Sequence, residues 1–478
     1  TSVIMGLPFM EISPEFVCKD QTSGQYIIDC SETLACQRAD FKIKQPAPES
    51  LVTEFELYCD REYLISTIGT TFFFGFMIGA YVLPNLSDKI GRLRTLYFIT
   101  IGFVAATVLA CCSLNIWMLL LAIAGLGFLA AGGSLVSFVL VTEFVGSSSR
   151  HTAGIGLMVI FGIQELVIVL VAYLTSQWRY IFVMALGFSV LYYFLLKKMD
   201  ESPRFLFVKG NYFRMIQSLT CVAKRNKTIM FREKISGKFS DFDLGTQTED
   251  IILEDTQATS SSSKSYSCLH LMRYKSLRIN SILCCIQWYI CSFSYYGIAF
   301  ILPSLDANIY TLGALLGIAE VAAILAVGWA LERIGRKTCY VVTMIPSAIS
   351  FAALAIVVSQ ESLMIFLTLA KFFLSAAFTV IWILSPEIFP TVIRSTATGV
   401  CSVSARVGGI SAPVTILIGK IIGVNPIVFF CVSCLIGSVL SFLLPETRGR
   451  NAPDEIEEEN SSSSARNLDS QGTELQPY

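Results

Sequence analysis

The chain has 478 residues, of which 54% are hydrophobic and only 15% charged, and its mean hydropathy is +0.64. Soluble proteins carry about 25% charged residues, so this composition excludes a cytosolic enzyme, a disordered chain and a secreted disulfide scaffold. A net charge of −1 gives no basic excess for nucleic acid. The sequence reads as an all-α, polytopic membrane protein.

A bilayer core about 30 Å thick takes about 20 apolar residues per helix. Residues 1–10 are apolar but reach only half that span at about 1.5 Å per residue. No initiator Met and no charged stretch precede them, which argues against a cleavable signal peptide. They are expected to be the outer end of a first helix whose start is missing. Eleven further apolar runs follow, at 63–86, 95–112, 116–141, 152–175, 180–196, 279–302, 309–331, 339–359, 363–385, 396–422 and 426–444. The parent pattern is then twelve helices. The division is a remnant 1–10, a loop 11–62, a bundle 63–196, a linker 197–278, a second bundle 279–445 and a tail 446–478.

Orientation follows from Lys and Arg in short loops. Lys89, Arg92, Arg94, Arg150, Lys197, Lys198, Arg333, Arg336, Lys337, Arg394, Arg448 and Arg450 lie on one side, and Arg179 and Lys420 on the other. The first side is cytoplasmic, with the linker and the tail. Loop 11–62 is then outside. It holds Cys18, Cys30, Cys36 and Cys59 and no glycosylation sequon. Two disulfides are expected there, with three pairings open. Segment 237–267 and the tail, with its acidic run 454–459 and serines 461–464, have the composition of solvated disordered polar stretches.

The charges near the membrane repeat. Asp88, Gly91 and Arg92 are matched by Glu332, Gly335 and Arg336. Glu143 and Arg150 are matched by Glu387 and Arg394, and Arg204 by Arg448. Each pairing has the same offset of 244 residues. Two six-helix halves of the same orientation explain one constant offset.

This architecture, with Asp-Lys-Ile-Gly-Arg at 88–92 and a fuller copy of the same loop motif through Gly328, Glu332, Arg333, Gly335, Arg336 and Lys337, resembles the major facilitator superfamily. Pro84 stands where the second copy has Gly328. The text is closer still to the organic ion transporters of solute carrier family 22. The likeness is carried by residues 141–146 with Arg150, 385–394, 405–413, Trp178-Arg179, 295–297, Ala370-Lys371 and 444–449, while Glu201-Ser-Pro-Arg204 belongs with the superfamily motifs. It implies alternating access by a small-molecule carrier at the plasma membrane, acting as a monomer. It also implies that Asp88, Gly91, Arg92, Glu143, Arg150, Arg204, Glu332, Gly335, Arg336, Glu387, Arg394 and Arg448 form a latch pairing across the cytoplasmic ends.

Charges without a repeat partner are the candidates for substrate. Each mid-membrane charge costs at least about 2.5–3.5 kcal/mol on insertion scales. Arg406, Lys371 and Glu320 face Gly162, Gly127 and Phe76 at the repeat offset. Lys371, Ser375, Phe378 and Trp382 share a helical face, as do Gln287, Cys291 and Tyr295, with Tyr296 beside them and Tyr173 near an outer helix end. The expected site is therefore Arg406, Lys371, Glu320, Tyr295, Tyr296, Phe378, Trp382, Gln287 and Tyr173. An alternative is that Arg406 or Lys371 simply pairs with Glu320. In the resembling family, anion and carnitine carriers tend to have Arg at the position of Arg406 and cation carriers Asp. The resemblance thus implies an organic anion or zwitterion substrate, with a coupling ion allowed for. Glu320 is shared with cation-transporting relatives. An organic cation transporter, or a non-transporting sensor or structural subunit that kept the fold, are the alternatives. No Walker motif is present. His151 and His270 map to cytoplasmic loops, so no metal site, cofactor or enzymatic activity is expected.

Overall fold

The computed structural model describes residues 2–19, 26–30, 32–38, 41–45, 48–146, 150–226, 268–305, 307–357, 359–390 and 393–448. The helices that build the body are α1 (Ser2–Met10), α2 (Tyr63–Ile90), α3 (Arg92–Cys111), α4 (Ile116–Phe144), α5 (Arg150–Thr175), α6 (Trp178–Leu196), α7 (Lys275–Ile301), α8 (Ile309–Arg333), α9 (Arg336–Ile356), α10 (Gln360–Ile388), α11 (Arg394–Ile422) and α12 (Ile427–Ser441). Among the described residues, ten helices are long and apolar enough to cross a membrane. Helix α12 is shorter than the expected 426–444 because Phe442, Leu443 and Leu444 continue it with i→i−3 hydrogen bonds, the tighter 3₁₀ winding common at helix ends. Large apolar side chains such as Tyr81 (75% exposed) and Leu121 (69%) face outward, as a lipid-facing surface requires.

Packing recurs six helices along. Helix α2 lies on α4 as α8 lies on α10, and α3 packs on α4 and α6 as α9 packs on α10 and α12. Between the halves, α2 meets α11 and α5 meets α8. The α2–α4 approach is close: a Cβ on Gly75 would lie 2.1 Å from the Ala124 carbonyl oxygen, and one on Gly79 2.0 Å from that of Phe128. Without a hydrophobic effect between helices in lipid, such small-residue contacts supply the attraction.

The outer loop is not wholly helical. It forms a three-stranded antiparallel sheet in the order β2-β1-β3, from β1 (Phe16–Lys19), β2 (Tyr26–Cys30) and β3 (Phe41–Ile43). Of the three pairings open from sequence, the disulfides are Cys18–Cys30 and Cys36–Cys59. The loop is tied to the first half through Glu54, which accepts hydrogen bonds from Trp178 Nε1 and from both terminal nitrogens of Arg179. Partial burial works against its charge, yet the hydrogen bonds from Arg179 and Trp178 hold the Glu54 carboxyl below its usual range. At the end of the bundle away from the disulfide-bonded loop, helices Pro203–Val208, Tyr212–Arg225 and Cys268–Arg273 belong to the linker. Segment 237–267 and nearly all of the tail lie outside the described residues.

Candidate substrate cavity and gating charges

Between the halves lies a cavity of about 190 Å³. Its walls are mostly apolar and aromatic: Phe72 and Phe76 from α2, Phe138 from α4, Phe161 from α5, Tyr295 and Tyr296 from α7, and Phe378 and Trp382 from α10. Polar groups are few, and they converge. Glu320 enters from α8, Ser375 from α10 and Arg406 from α11.

The sequence expects either a cationic lining or a simple pair, and the geometry divides the charges. Lys371 is 2% exposed and does not line the cavity. Its Nζ lies 2.8 Å from Glu320 Oε2 and 3.5 Å from Glu165 Oε2. The Tyr295 hydroxyl donates to the Glu320 carboxylate at 2.8 Å. Lys371 also sits 3.9 Å from the centre of the Tyr295 ring. A buried ion group of this kind holds only when its members satisfy one another. Arg406 takes no part in it. It is 6% exposed, its guanidinium carbon lies 4.1 Å from the centre of the Phe76 ring, and its Nε has no hydrogen-bond partner. Among the described residues no ion pair involves Arg406. The Ser375 hydroxyl is likewise buried without a partner.

Two expected residues stand elsewhere. Gln287 is fully buried inside the second half, donating to the Gly437 carbonyl at 2.9 Å and accepting from the Tyr340 hydroxyl at 2.9 Å. It shares a helical face with Tyr295 but lies deeper between α7 and its neighbours. Tyr173 is 62% exposed at the outer end of α5, against Tyr310. Glu165 lies outside the expected set. The signal for it exists in the sequence, since its counterpart at the 244-residue offset is Gly409.

The profile of the sugar (and other) transporter family matches residues 32–458. The chain belongs to this family. Its curated relatives include the organic cation transporter protein of Drosophila melanogaster, 29% identical over 86% of this chain and 74% of that one. Others are human solute carrier family 22 member 13, 28% identical over 86% and 71%, and mouse solute carrier family 22 member 7, 26% identical over 98% and 84%. The fold is that of the E. coli xylose transporter in its inward open conformation (TM-score 0.61, 15% identity, 94% of this chain and 96% of that one). It is also similar to the human organic anion transporter TETRAN (TM-score 0.55, 13% identity, 82% and 87%). The protein is a multi-pass membrane transporter with the major facilitator fold and solute carrier family 22 relatives.

In this member of the family the charged motifs pair within their own halves. Arg92 binds Asp88 at 3.0 Å and Glu143 at 3.2 Å, all within the first half. Arg336 binds Glu387 at 3.2 Å within the second. Besides Lys371–Glu165, an ion pair joins the halves at the outer side, where Lys420 of α11 pairs with Glu62 at the start of α2. Nearby, Tyr310 of α8 stacks on Phe9 and meets Tyr173. The two halves are therefore drawn together at that end, while Arg92 and Arg336 bond carboxylates of their own half.

The loop glycines explain the repeat locally. Gly91 and Gly335 have φ of 109° and 105°, a region that side chains other than glycine rarely enter. Each turns the chain into the N-terminus of α3 or α9, where a carboxylate receives the free backbone N–H groups. Glu201 accepts from Arg92 at 3.0 Å, and Glu446 from Arg336 at 3.1 Å. The equivalent carboxylates are thus 245 residues apart, one off the 244 offset of Arg204 and Arg448. The helix-end partner is the acidic residue of each motif, whereas Arg204 is exposed and Arg448 bonds the Arg333 carbonyl at 2.6 Å. Partial burial opposes the Glu446 charge, but backbone N–H donors from Arg448 and Arg336 outweigh it and hold that carboxyl below its usual range. Arg394 donates to the Phe389 carbonyl at 3.3 Å. The side chains of Arg150 and Glu332 fall outside the described residues.

Proposed function

We propose that the chain carries small organic anions, zwitterions included, across the membrane by alternating access, and that Arg406 holds their negative group. The observation that carries this reading is the isolation of Arg406. Glu320 is satisfied by Lys371 and Tyr295, while Arg406 faces the cavity with no carboxylate partner among the described residues. A guanidinium offers a planar fork to a carboxylate or sulfonate, and in a low-dielectric site that contact is stronger than in water. The unpartnered Ser375 hydroxyl supplies a second donor, and the aromatic walls suit an apolar body. Glu320 would be the anchor for an organic cation, but both its oxygens are already bonded. The two outer disulfides support a membrane on the secretory route, and we take the plasma membrane as its place. The cavity is enclosed by a single chain, which supports action as a monomer.

Uptake into proteoliposomes containing the purified chain tests the reading. Labelled benzenesulfonate, a permanent anion that does not cross as a neutral acid, is expected to enter and to be competed by other small aromatic anions. Entry of tetraethylammonium instead, unaffected by excess benzenesulfonate, would favour a cation carrier. Entry of neither probe would favour a non-transporting role.

A further inference from the structure

Glu165 is a second buried carboxylate in a group with one ammonium, and that imbalance has a chemical consequence. Lys371 can neutralise one of Glu165 and Glu320, which are 8% and 3% exposed. A buried carboxylate left without a counter-charge is neutralised by a proton instead, so one of the pair is expected to carry one. Glu320 has the short contact to Lys371 and the Tyr295 hydroxyl, while Glu165 has only the longer contact at 3.5 Å. Glu320 is thus the better-compensated charge and Glu165 the place for the proton.

We propose that Glu165 binds one proton and releases it in each transport cycle, coupling proton movement to anion movement. The proposal rests on the anion reading for its substrate, and on the carboxylate geometry for its site. Glu165 belongs to α5 of the first half, while its partners Glu320 and Lys371 belong to α8 and α10 of the second. Rocking of one half on the other acts at the α5–α8 contact, so the Glu165–Lys371 contact is made and broken by the transport motion itself.

The charges also link the two ligands. With Glu165 protonated, Lys371 and Glu320 cancel and Arg406 is left as the net charge beside the cavity. With Glu165 ionised, the region is neutral and an incoming anion meets an extra carboxylate. Proton and anion therefore favour each other's binding, and by linkage the effect is reciprocal. Tyr295 from α7 is the other titratable group near Glu165, while Tyr296 from α7 and Arg406 from α11 line the adjoining cavity with Glu320. Helix α1 is apolar except for Ser2 at its start, and the buried Glu11 follows its end. The acid of α4, Glu143, is at the cytoplasmic end with Arg92, and Arg179 of α6 is at the outer end with Glu54.

Two measurements on the full chain in lipid test this. Infrared difference spectra recorded while the pH is stepped are expected to show a protonated-carboxyl band that grows on acidification, is lost in Glu165→Gln and is kept in the control Glu54→Gln. In proteoliposomes loaded with a pH dye, benzenesulfonate influx is expected to acidify the lumen and to speed up several-fold under an acid-outside gradient. In Glu165→Gln both effects are expected to vanish. A carboxyl band indifferent to Glu165→Gln, or sulfonate influx that brings protons with it in that variant, would overturn the proposal. If neither protein moves benzenesulfonate while the band still depends on Glu165, the proton site stands and the anion reading falls.

Discussion

Lys371→Met is expected to lower stability more than any other polar-to-apolar change in the membrane interior. The ammonium lies between two buried carboxylates at 2.8 and 3.5 Å, and the methionine would leave both without it. Removing one partner of a buried charge group costs about 3–5 kcal/mol, because the remaining charge is uncompensated. Protonation of both acids would relieve part of this, so the loss should be greatest at high pH and shrink on acidification. Thermal unfolding of the detergent-solubilised chain, followed by size-exclusion chromatography, reads the effect. Adding Glu165→Gln and Glu320→Gln to Lys371→Met should recover much of the lost melting temperature. A single Lys371→Met variant that melts like the wild type would show that the triad does not hold the halves together.

Gly79→Val is expected to fail at assembly rather than at transport. The first added carbon would stand 2.0 Å from the Phe128 carbonyl oxygen of α4, and backbone cannot swing aside as a side chain can. Overpacking against side chains costs about 1–3 kcal/mol, and displacing a whole helix costs more. Gly187 on α6 has nothing within 4 Å of its Cβ position, so Gly187→Val is the matched control. Monodisperse yield from detergent should collapse for the first variant and persist for the second. Equal yields would mean that α2 and α4 do not pack as described.

Much of the fold is legible in the sequence because lipid enforces it. A spanning helix must satisfy its own backbone groups and present apolar side chains, so apolar runs and helices nearly coincide. The repeat is readable because Gly91 and Gly335 are forced by positive φ and their neighbouring charges by function at the membrane surface. The outer sheet is not readable, since its strands are short, three to five residues each, and its small core of Phe16, Ala35, Phe41 and Tyr58 is supplemented by disulfides. Among the candidate site residues, Arg406, Glu320 and the aromatic face of α10 reach the cavity because helical period alone places them on an inward stripe. Gln287 shares that period, but periodicity gives direction and not depth between neighbours, and its amide is taken by Gly437 and Tyr340. The partners of Lys371 need tertiary contacts, so Glu165 emerges only when α5 is seen against α8. The latch charges differ for another reason: their partners depend on which way the halves are rocked, and a sequence does not specify one state.

The most direct test of the account is the initial rate of benzenesulfonate uptake by reconstituted Arg406→Lys and Arg406→Asp beside the wild type. Lysine keeps the charge but loses the planar fork, so Arg406→Lys should bind the sulfonate more weakly while retaining some transport. Arg406→Asp reverses the sign beside the cavity and should abolish sulfonate uptake, with tetraethylammonium gaining entry if the aromatic walls accept it. Sulfonate uptake by Arg406→Asp at the wild-type rate, in protein of wild-type melting temperature, would contradict the claim that Arg406 selects the substrate.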